Sequence, residues 1–325
     1  MTILGYRFSA FGDVAMVATV FKEFLEQNPD VKLVIVSREN FRDLFDGMPR
    51  LHFKGVDFDE YKGFIGLRKL AKELISEFNP CQIADFHDVI RTKILNRYFK
   101  SRGFQISVID KGKEEKELLT DIWNLEKKPL KTTVERYADV LRNLGHPVTL
   151  SHRYVPSQHR TGGIGFAPFA QHFGKMLPLE KSFEVAKILA TQQPVYFFGG
   201  RGEESEILQR WQNEIPNTVN LAGKLTLKEE LQKISELHLM ISMDSANMHL
   251  ASLAGTRCIS VWGATHHFAG FLGYGQSTDD IVHVKDLTCR PCSVFGDKEC
   301  YRGDYACLNE IHAEDVVGKV LGVSN

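Results

Sequence analysis

No run of about 18 uninterrupted apolar residues occurs in this chain, so no segment has the length to cross a bilayer as a helix. An excess of charge is missing too. The 40 Lys and Arg against 41 Asp and Glu leave a formal net charge of −1, which gives no general attraction to nucleic acid or to an anionic bilayer. No G-x-G-x-x-G follows a strand-like run, and Gly199-Gly-Arg-Gly202 has the wrong spacing, which argues against a nicotinamide dehydrogenase. Low-complexity tracts and short-period repeats are absent. The opening residues, Met1-Thr-Ile-Leu-Gly-Tyr-Arg-Phe8, show no charged leader before a long apolar core, so the expectation is a cytoplasmic protein. Cysteine is scarce outside one block: of six, four are crowded between Cys289 and Cys307. Cys81 and Cys258, isolated in apolar runs, read as small buried hydrophobes of a reducing compartment.

What is present is an alternation of strand-like and helical patterns over the whole length. A chain of 325 residues with 43% hydrophobic content predicts a globular protein of two domains. Strands are expected at 3–8, 33–36, 82–86 and 105–109, and helices at 14–27, 67–78, 89–101 and 133–143. The last ends at Leu144-Gly145-His146-Pro147, a Gly-then-Pro stop. Residues 147–162 follow neither period and carry turn formers, so the boundary falls there, giving domains 1–150 and 151–325. The second half restarts with strands at 164–167, 195–198 and 218–221 and helices at 179–191 and 203–213. Thr226-Leu-Lys-Glu229 reads as a capping box opening the next helix. The class is α/β, with two doubly wound Rossmann-like sheets facing a central cleft, and the loops after strands are where ligands are expected.

Three such loops carry candidate chemistry. Ser9-Ala-Phe-Gly-Asp-Val14 follows the first strand; Gly12 lets backbone approach a ligand closely, and Asp13 reads either as a carboxylate pointing into the cleft or as a helix N-cap. In the loop after 164–167 the one cation is Lys175, framed by Gly174 and Pro178. It reads either as a point charge for a diphosphate or as a solvated surface lysine. Asp244 and Ser245 stand where strand 239–242 gives way to a helix through His249 and Ala254, so free backbone N–H groups and the positive helix end would face a phosphate. A strand at 258–262 then ends in Gly263-Ala-Thr265 beside that site.

Phe11-Gly-Asp-Val14, Lys175-Met-Leu-Pro178, Phe198-Gly-Gly200 followed by Glu203, Leu221-Ala-Gly-Lys-Leu-Thr-Leu227, Asp244-Ser-Ala-Asn-Met-His-Leu-Ala251 and Trp262-Gly-Ala-Thr265 appear in one order. In that order and spacing they resemble glycosyltransferase family 9, the ADP-heptose:lipopolysaccharide heptosyltransferases. Each motif alone is weak, and six in order are specific. The likeness extends over nearly the whole chain, through Asp85-Phe-His87, Val134-Glu-Arg-Tyr137 and Cys289-Arg-Pro-Cys292.

The resemblance implies a GT-B fold, with acceptor bound by the N-terminal domain and nucleotide sugar by the C-terminal domain. It implies Asp13 as general base and Lys175 as catalytic ligand of the donor diphosphate. Asp244 would contact the donor sugar, Ser245 and Ala246 would offer N–H groups to the phosphates, and Gly12, Gly263 and Thr265 would lie near the donor. His249 reads either as a ligand contact or as a core histidine. The implied activity is inverting transfer of a sugar, heptose from ADP-heptose, onto lipopolysaccharide core or a related glycan. No cofactor or catalytic metal is required, no nucleic acid is a partner, and the place of action is the cytoplasm, with peripheral contact at the inner membrane face left open. A nucleotide-sugar epimerase of the same fold and a non-catalytic nucleotide-sugar binder are the alternatives. Met243, Ala246, Phe169 and Met176-Leu177 depart from the usual family residues, although alanine still supplies its N–H. Cys289, Cys292, Cys300 and Cys307 are compatible with tetrahedral structural zinc, with free thiols and with a disulfide.

Overall fold

The computed structural model describes residues 1–322, which leaves the last three of the expected second domain outside the described residues. It divides into two compact units, Met1–Lys111 with Thr133–Ser151, and Gly112–Thr132 with the chain from His152 onward.

The first unit runs β1 (Thr2–Tyr6), α1 (Phe11–Gln27), β2 (Lys32–Ser37), β3 (Leu51–Gly55), α2 (Gly63–Phe78), β4 (Gln82–Asp85), α3 (Ile90–Lys100) and β5 (Gln105–Val108). The chain then leaves it for Gly112–Thr132, which holds α4 (Lys113–Thr120), and returns with α5 (Thr133–Arg142). All five strands are parallel, in the order β3-β2-β1-β4-β5. Helix α1 packs with α5 and α2 with α3, so β1 and β2 are buried along nearly their whole length. That double cover is why these strands read as continuous apolar runs rather than alternating ones. β3 escaped the sequence pattern because it is an edge strand, with a half-exposed Leu-His-Phe-Lys-Gly run.

The second unit continues with β6 (Ile164–Ala167), α6 (Leu179–Ala190), β7 (Val195–Phe197), α7 (Glu203–Glu214), β8 (Thr218–Asn220), α8 (Leu227–Glu236), β9 (Leu239–Met243), α9 (Ala246–Ala254), β10 (Arg257–Val261), β11 (Ile281–Val282), α10 (Ala306–Asn309) and α11 (Ala313–Leu321). Its parallel sheet has the order β11-β10-β9-β6-β7-β8. Counted from β6, that is the 3-2-1-4-5-6 order of dinucleotide-binding sheets, although the glycine fingerprint is lacking. The Gly112–Thr132 excursion is tied to this unit by the Leu130 N–H donating to the Phe268 carbonyl at 2.8 Å.

The strands and helices named from the sequence are present within a few residues of their expected ends, and β3, α4, the two-residue β11 and the short α10 were not foreseen. Cys258 is buried as expected, whereas Cys81 is exposed, because it lies one residue before β4 rather than within it. The capping box is complete: Thr226 Oγ1 accepts the Glu229 N–H at 3.3 Å, and Glu229 Oε2 accepts the Thr226 N–H at 2.8 Å. Substituting Thr226→Ala should lower stability by about 1 kcal/mol, read as a lower urea midpoint; an unchanged midpoint would mean that tertiary contacts alone hold α8.

Candidate functional site

In an open parallel sheet, ligands bind beyond the carboxyl ends of the strands where the strand order reverses, because there the two outgoing chains depart to opposite faces. The reversals lie between β1 and β4 in the first unit and between β6 and β9 in the second. Asp13 follows β1 and His87 follows β4; Lys175 follows β6 and Asp244 follows β9. Each unit thus holds one pair of candidate polar residues at its own reversal.

In the first unit Asp13 lies in the first turn of α1, whose N-cap is Ala10 with no side-chain capping bond. The carboxylate caps nothing and is bound elsewhere. Its Oδ2 is 2.6 Å from Arg7 Nη2, and its Oδ1 accepts the Tyr137 hydroxyl at 2.9 Å. Arg7 is 6% exposed and also donates to the Phe86 carbonyl across the β1–β4 reversal at 2.7 Å. Tyr137 is fully buried on α5, and burial, reinforced by Asp13, holds its hydroxyl protonated well above the usual phenol range. Two oxygens with two partners leave two of the four carboxylate lone-pair sites of Asp13 open, and its side chain is 25% exposed.

Beside it, His87 Nδ1 accepts the Phe8 N–H at 3.4 Å, and Nε2 stands 3.4 Å from Ser9 Oγ. Burial first, then the charges of Arg7 and Lys111, pushes this imidazole down to about 3, so it is neutral at pH 7 and its Nε2 carries the proton. Arg7, Tyr137 and His87 were not singled out from the sequence for any role of their own. The signal for Arg7 was there: a charge directly after a five-residue strand must find a partner once that strand is buried.

In the second unit Lys175 ends a short 3₁₀ turn, Phe173–Lys175, and its Nζ lies 2.9 Å from Asp244 Oδ2. The lysine side chain is 15% exposed and that of Asp244 only 4%, so Lys175 is no solvated surface residue. The contact is an ion pair without hydrogen-bond geometry, since Asp244 Oδ2 has no hydrogen-bond partner. Ser245 is the N-cap of α9 by position, but its hydroxyl bonds no helix amide; Oγ sits 3.1 Å from Ser242 Oγ instead. Ser245, Ala246 and Asn247 are half-buried, so the first amides of α9 lie beside Lys175 without a side-chain cap, a ready anion site. His249, one turn further on, is buried.

Gly263 and Thr265 serve the loop itself. A Cβ on Gly263 would run into Leu308 and come within 2.6 Å of the Gly174 carbonyl, so glycine is required for close packing. Thr265 is buried, with a hydroxyl that has no partner. The Ala264 N–H donates to Gly174 at 2.8 Å, Gly174 N–H to Gly296 at 3.2 Å, and Cys292 N–H to Ala264 at 3.1 Å. Arg290, 5% exposed, holds the same loop through the carbonyls of Gly263 (2.6 Å), Trp262 (2.9 Å) and Thr265 (3.0 Å), and reaches Val284 at 2.7 Å. The end of β9 joins in, since Met243 Sδ accepts the Leu177 N–H at 3.4 Å. The family departures Met243 and Leu177 thus meet each other, a pairing the sequence order hides.

The cysteines of the terminal block are unbonded to one another; Cys307 is buried and the other three partly so. Burial pushes the Cys307 thiol up to about 12 and that of Cys292 upward as well. Among the described residues, the one group of three potential metal ligands with donor atoms all within 4.8 Å of one another is His266, His267 and His283, not the cysteines. No helix of the described residues is long and apolar enough to cross a membrane.

Two doubly wound parallel sheets with these strand orders are the GT-B fold. The chain belongs to glycosyltransferase family 9 (heptosyltransferase), whose family model matches residues 82–301. It is 24% identical over 315 residues to the lipooligosaccharide heptosyltransferase 2 of Campylobacter jejuni, covering 94% of this chain and 93% of that one. Its fold is similar to the family 9 glycosyltransferase of Veillonella parvula, with a TM-score of 0.73 at 17% identity and coverage of 99% and 96%. It is also similar to the ADP-heptose lipopolysaccharide heptosyltransferase II of E. coli, with a TM-score of 0.70 at 18% identity and coverage of 99% and 98%.

Replacing Gly263 by alanine should displace the Lys175 loop, since the buried Leu308 side chain and the Gly174 carbonyl both oppose the new methyl group. The expected result is a loss of about 1–3 kcal/mol of stability together with weaker nucleotide binding. A variant of wild-type stability and affinity would free Gly263 of that packing role.

Proposed function

We propose that this enzyme transfers heptose from ADP-heptose, with inversion, onto a lipopolysaccharide or lipooligosaccharide core acceptor, with the first unit binding the acceptor and the second the donor. The observation that carries the reading is the Lys175–Asp244 pair at the uncapped start of α9, at the point where the second sheet reverses its strand order. The names of the Campylobacter and E. coli relatives supply the sugar, the nucleotide and the class of acceptor.

In this reaction Asp13 takes the proton of the acceptor hydroxyl as its oxygen forms a bond to the anomeric carbon. Arg7 holds one oxygen of the carboxylate and Tyr137 the other, which fixes its orientation. The bond from the anomeric carbon to the diphosphate breaks with its electron pair leaving on phosphate oxygen, and Lys175 and the amides of Ser245 and Ala246 stabilise that charge. Asp244 holds Lys175 in place before the donor arrives and contacts the sugar in the bound complex. Gly12 allows close approach of the first unit's backbone, while Gly263 and Thr265 act through the loop they pack. The phosphate charge is met by protein groups, so no metal enters a step. Transfer occurs on the cytoplasmic side of the membrane, where nucleotide sugars are made.

Asp13→Asn keeps the shape of the carboxylate and removes its basicity, so kcat should fall by about 10²–10⁴ with donor affinity unchanged. It also strips the buried Arg7 of its counter-charge, so the assay is run below the variant's own unfolding midpoint. Normal turnover would remove Asp13 from the chemistry. For the donor, a thermal-shift panel decides: ADP should raise the melting temperature more than UDP or GDP, because a ligand that binds only the folded state stabilises it. That shift should shrink in Lys175→Ala. Greater stabilisation by UDP would keep the fold and mechanism and overturn the heptose assignment, whereas conversion of the nucleotide sugar without acceptor would favour an epimerase.

A further inference from the structure

We propose that His266, His267 and His283 form a binding site for a divalent transition-metal ion of the zinc class, joining the loops that follow β10 and β11. These strands are parallel neighbours, with Val261 opposite Val282, so the loops leaving them emerge side by side. His266 and His267 come from the first loop and His283 stands directly after β11. The three rings touch, with centroids 4.3 Å (His266–His267), 5.3 Å (His266–His283) and 6.0 Å (His267–His283) apart, and no carboxylate completes the group.

Two observations point to a ligand rather than to a packed aromatic cluster. The Nδ1 atoms of His267 and His283 are buried without a hydrogen-bond partner, a costly arrangement for polar nitrogen that a metal ion would relieve. His266 Nδ1 accepts the Phe268 N–H at 3.1 Å, so this ring carries its proton on Nε2 and must give up that bond and turn to offer Nδ1 to an ion. In addition the three side chains bring one donor atom each to within 4.8 Å of the others.

The donor atoms all lie within 4.8 Å of one another, against about 3.4 Å between nitrogens of a tetrahedral site whose Zn–N distance is about 2.1 Å. Side-chain rotation of this order closes the site. Neutral imidazole suits zinc, copper and nickel and does not suit magnesium or calcium. A pocket of about 510 Å³, lined by His266 and His283 together with Lys127, Asp286 and Arg290, leaves a coordination position open. The cations there favour water or an anion as fourth ligand. The same Arg290 repels a divalent ion, so this site should bind less tightly than an all-thiolate one.

The test uses the full chain, stripped with EDTA and then titrated with Co²⁺ alone, because cobalt reports its ligands by absorption. The expected result is one equivalent with d–d bands and no thiolate charge transfer. His267→Asn and His283→Gln should each weaken it by more than about 100-fold, beyond the 10–100-fold cost of losing an outer-shell partner, with unchanged near-ultraviolet circular dichroism. Cobalt bound only through thiolate, no bound cobalt, or wild-type affinity in both variants overturns the proposal. Pulsed electron paramagnetic resonance of the Cu²⁺-loaded wild type decides independently of whether a variant folds: three coordinated imidazoles support the site, and fewer overturn it.

Discussion

A parallel sheet whose strand order reverses must send two adjacent strands to helices on opposite faces, and nothing in the chain then covers the carboxyl ends of that pair. The whole arrangement follows from this geometric constraint. It opens a place beyond β1 and β4, and another beyond β6 and β9, where backbone amides and polar side chains can be spared from the core. His87 and Asp244 come just after β4 and β9, and Asp13 and Lys175 lie in the loops or first turns that follow β1 and β6. The residues proposed to carry the reaction are therefore placed by topology before any detail of the loops is considered.

Burying charge at these reversals demands partners, and the two units meet the demand differently. In the first, Arg7 is surrounded by Asp13, the Phe86 carbonyl and the face of Tyr137, so the cation sets the direction of a carboxylate. In the second, Arg290 spends its guanidinium on four carbonyl oxygens and leaves Lys175 to Asp244. A guanidinium suits both tasks, since its donors lie in a rigid fan. Burial lowers Arg290 only to about 10, so the arginine stays charged at neutral pH.

Much of this was legible in the sequence, for a physical reason. Strands covered on both faces must be apolar throughout, and helices between them must carry a 3.6-residue stripe; β1, β2, β6 and β9 announced themselves that way. The loop residues Asp13, Lys175 and Asp244 could be picked out because polar residues at strand ends are few. What stayed hidden was pairing across sequence distance. Tyr137 stands 124 residues from the carboxylate it binds, and neither the contact of Met243 with the Leu177 amide nor the meeting of His283 with His266 and His267 leaves a periodic trace. Spacing did suggest the four cysteines as a metal set, yet the tightest set of ligand atoms is made of histidines, because coordination depends on where loops end in space and spacing reports only where they lie along the chain.

The backbone bonds that run from Gly296 to Gly174, from Gly174 to Ala264 and from Ala264 to Cys292 have a consequence for synthesis of the chain. Lys175 leaves the ribosome well before Arg290 and Gly296, whose loops brace it. Until residues near Arg290 and Gly296 emerge, β6 to β10 can already pair while the Lys175 turn lacks its far support. A nascent chain that has already paired these strands would thus still hold an unbraced Lys175 turn.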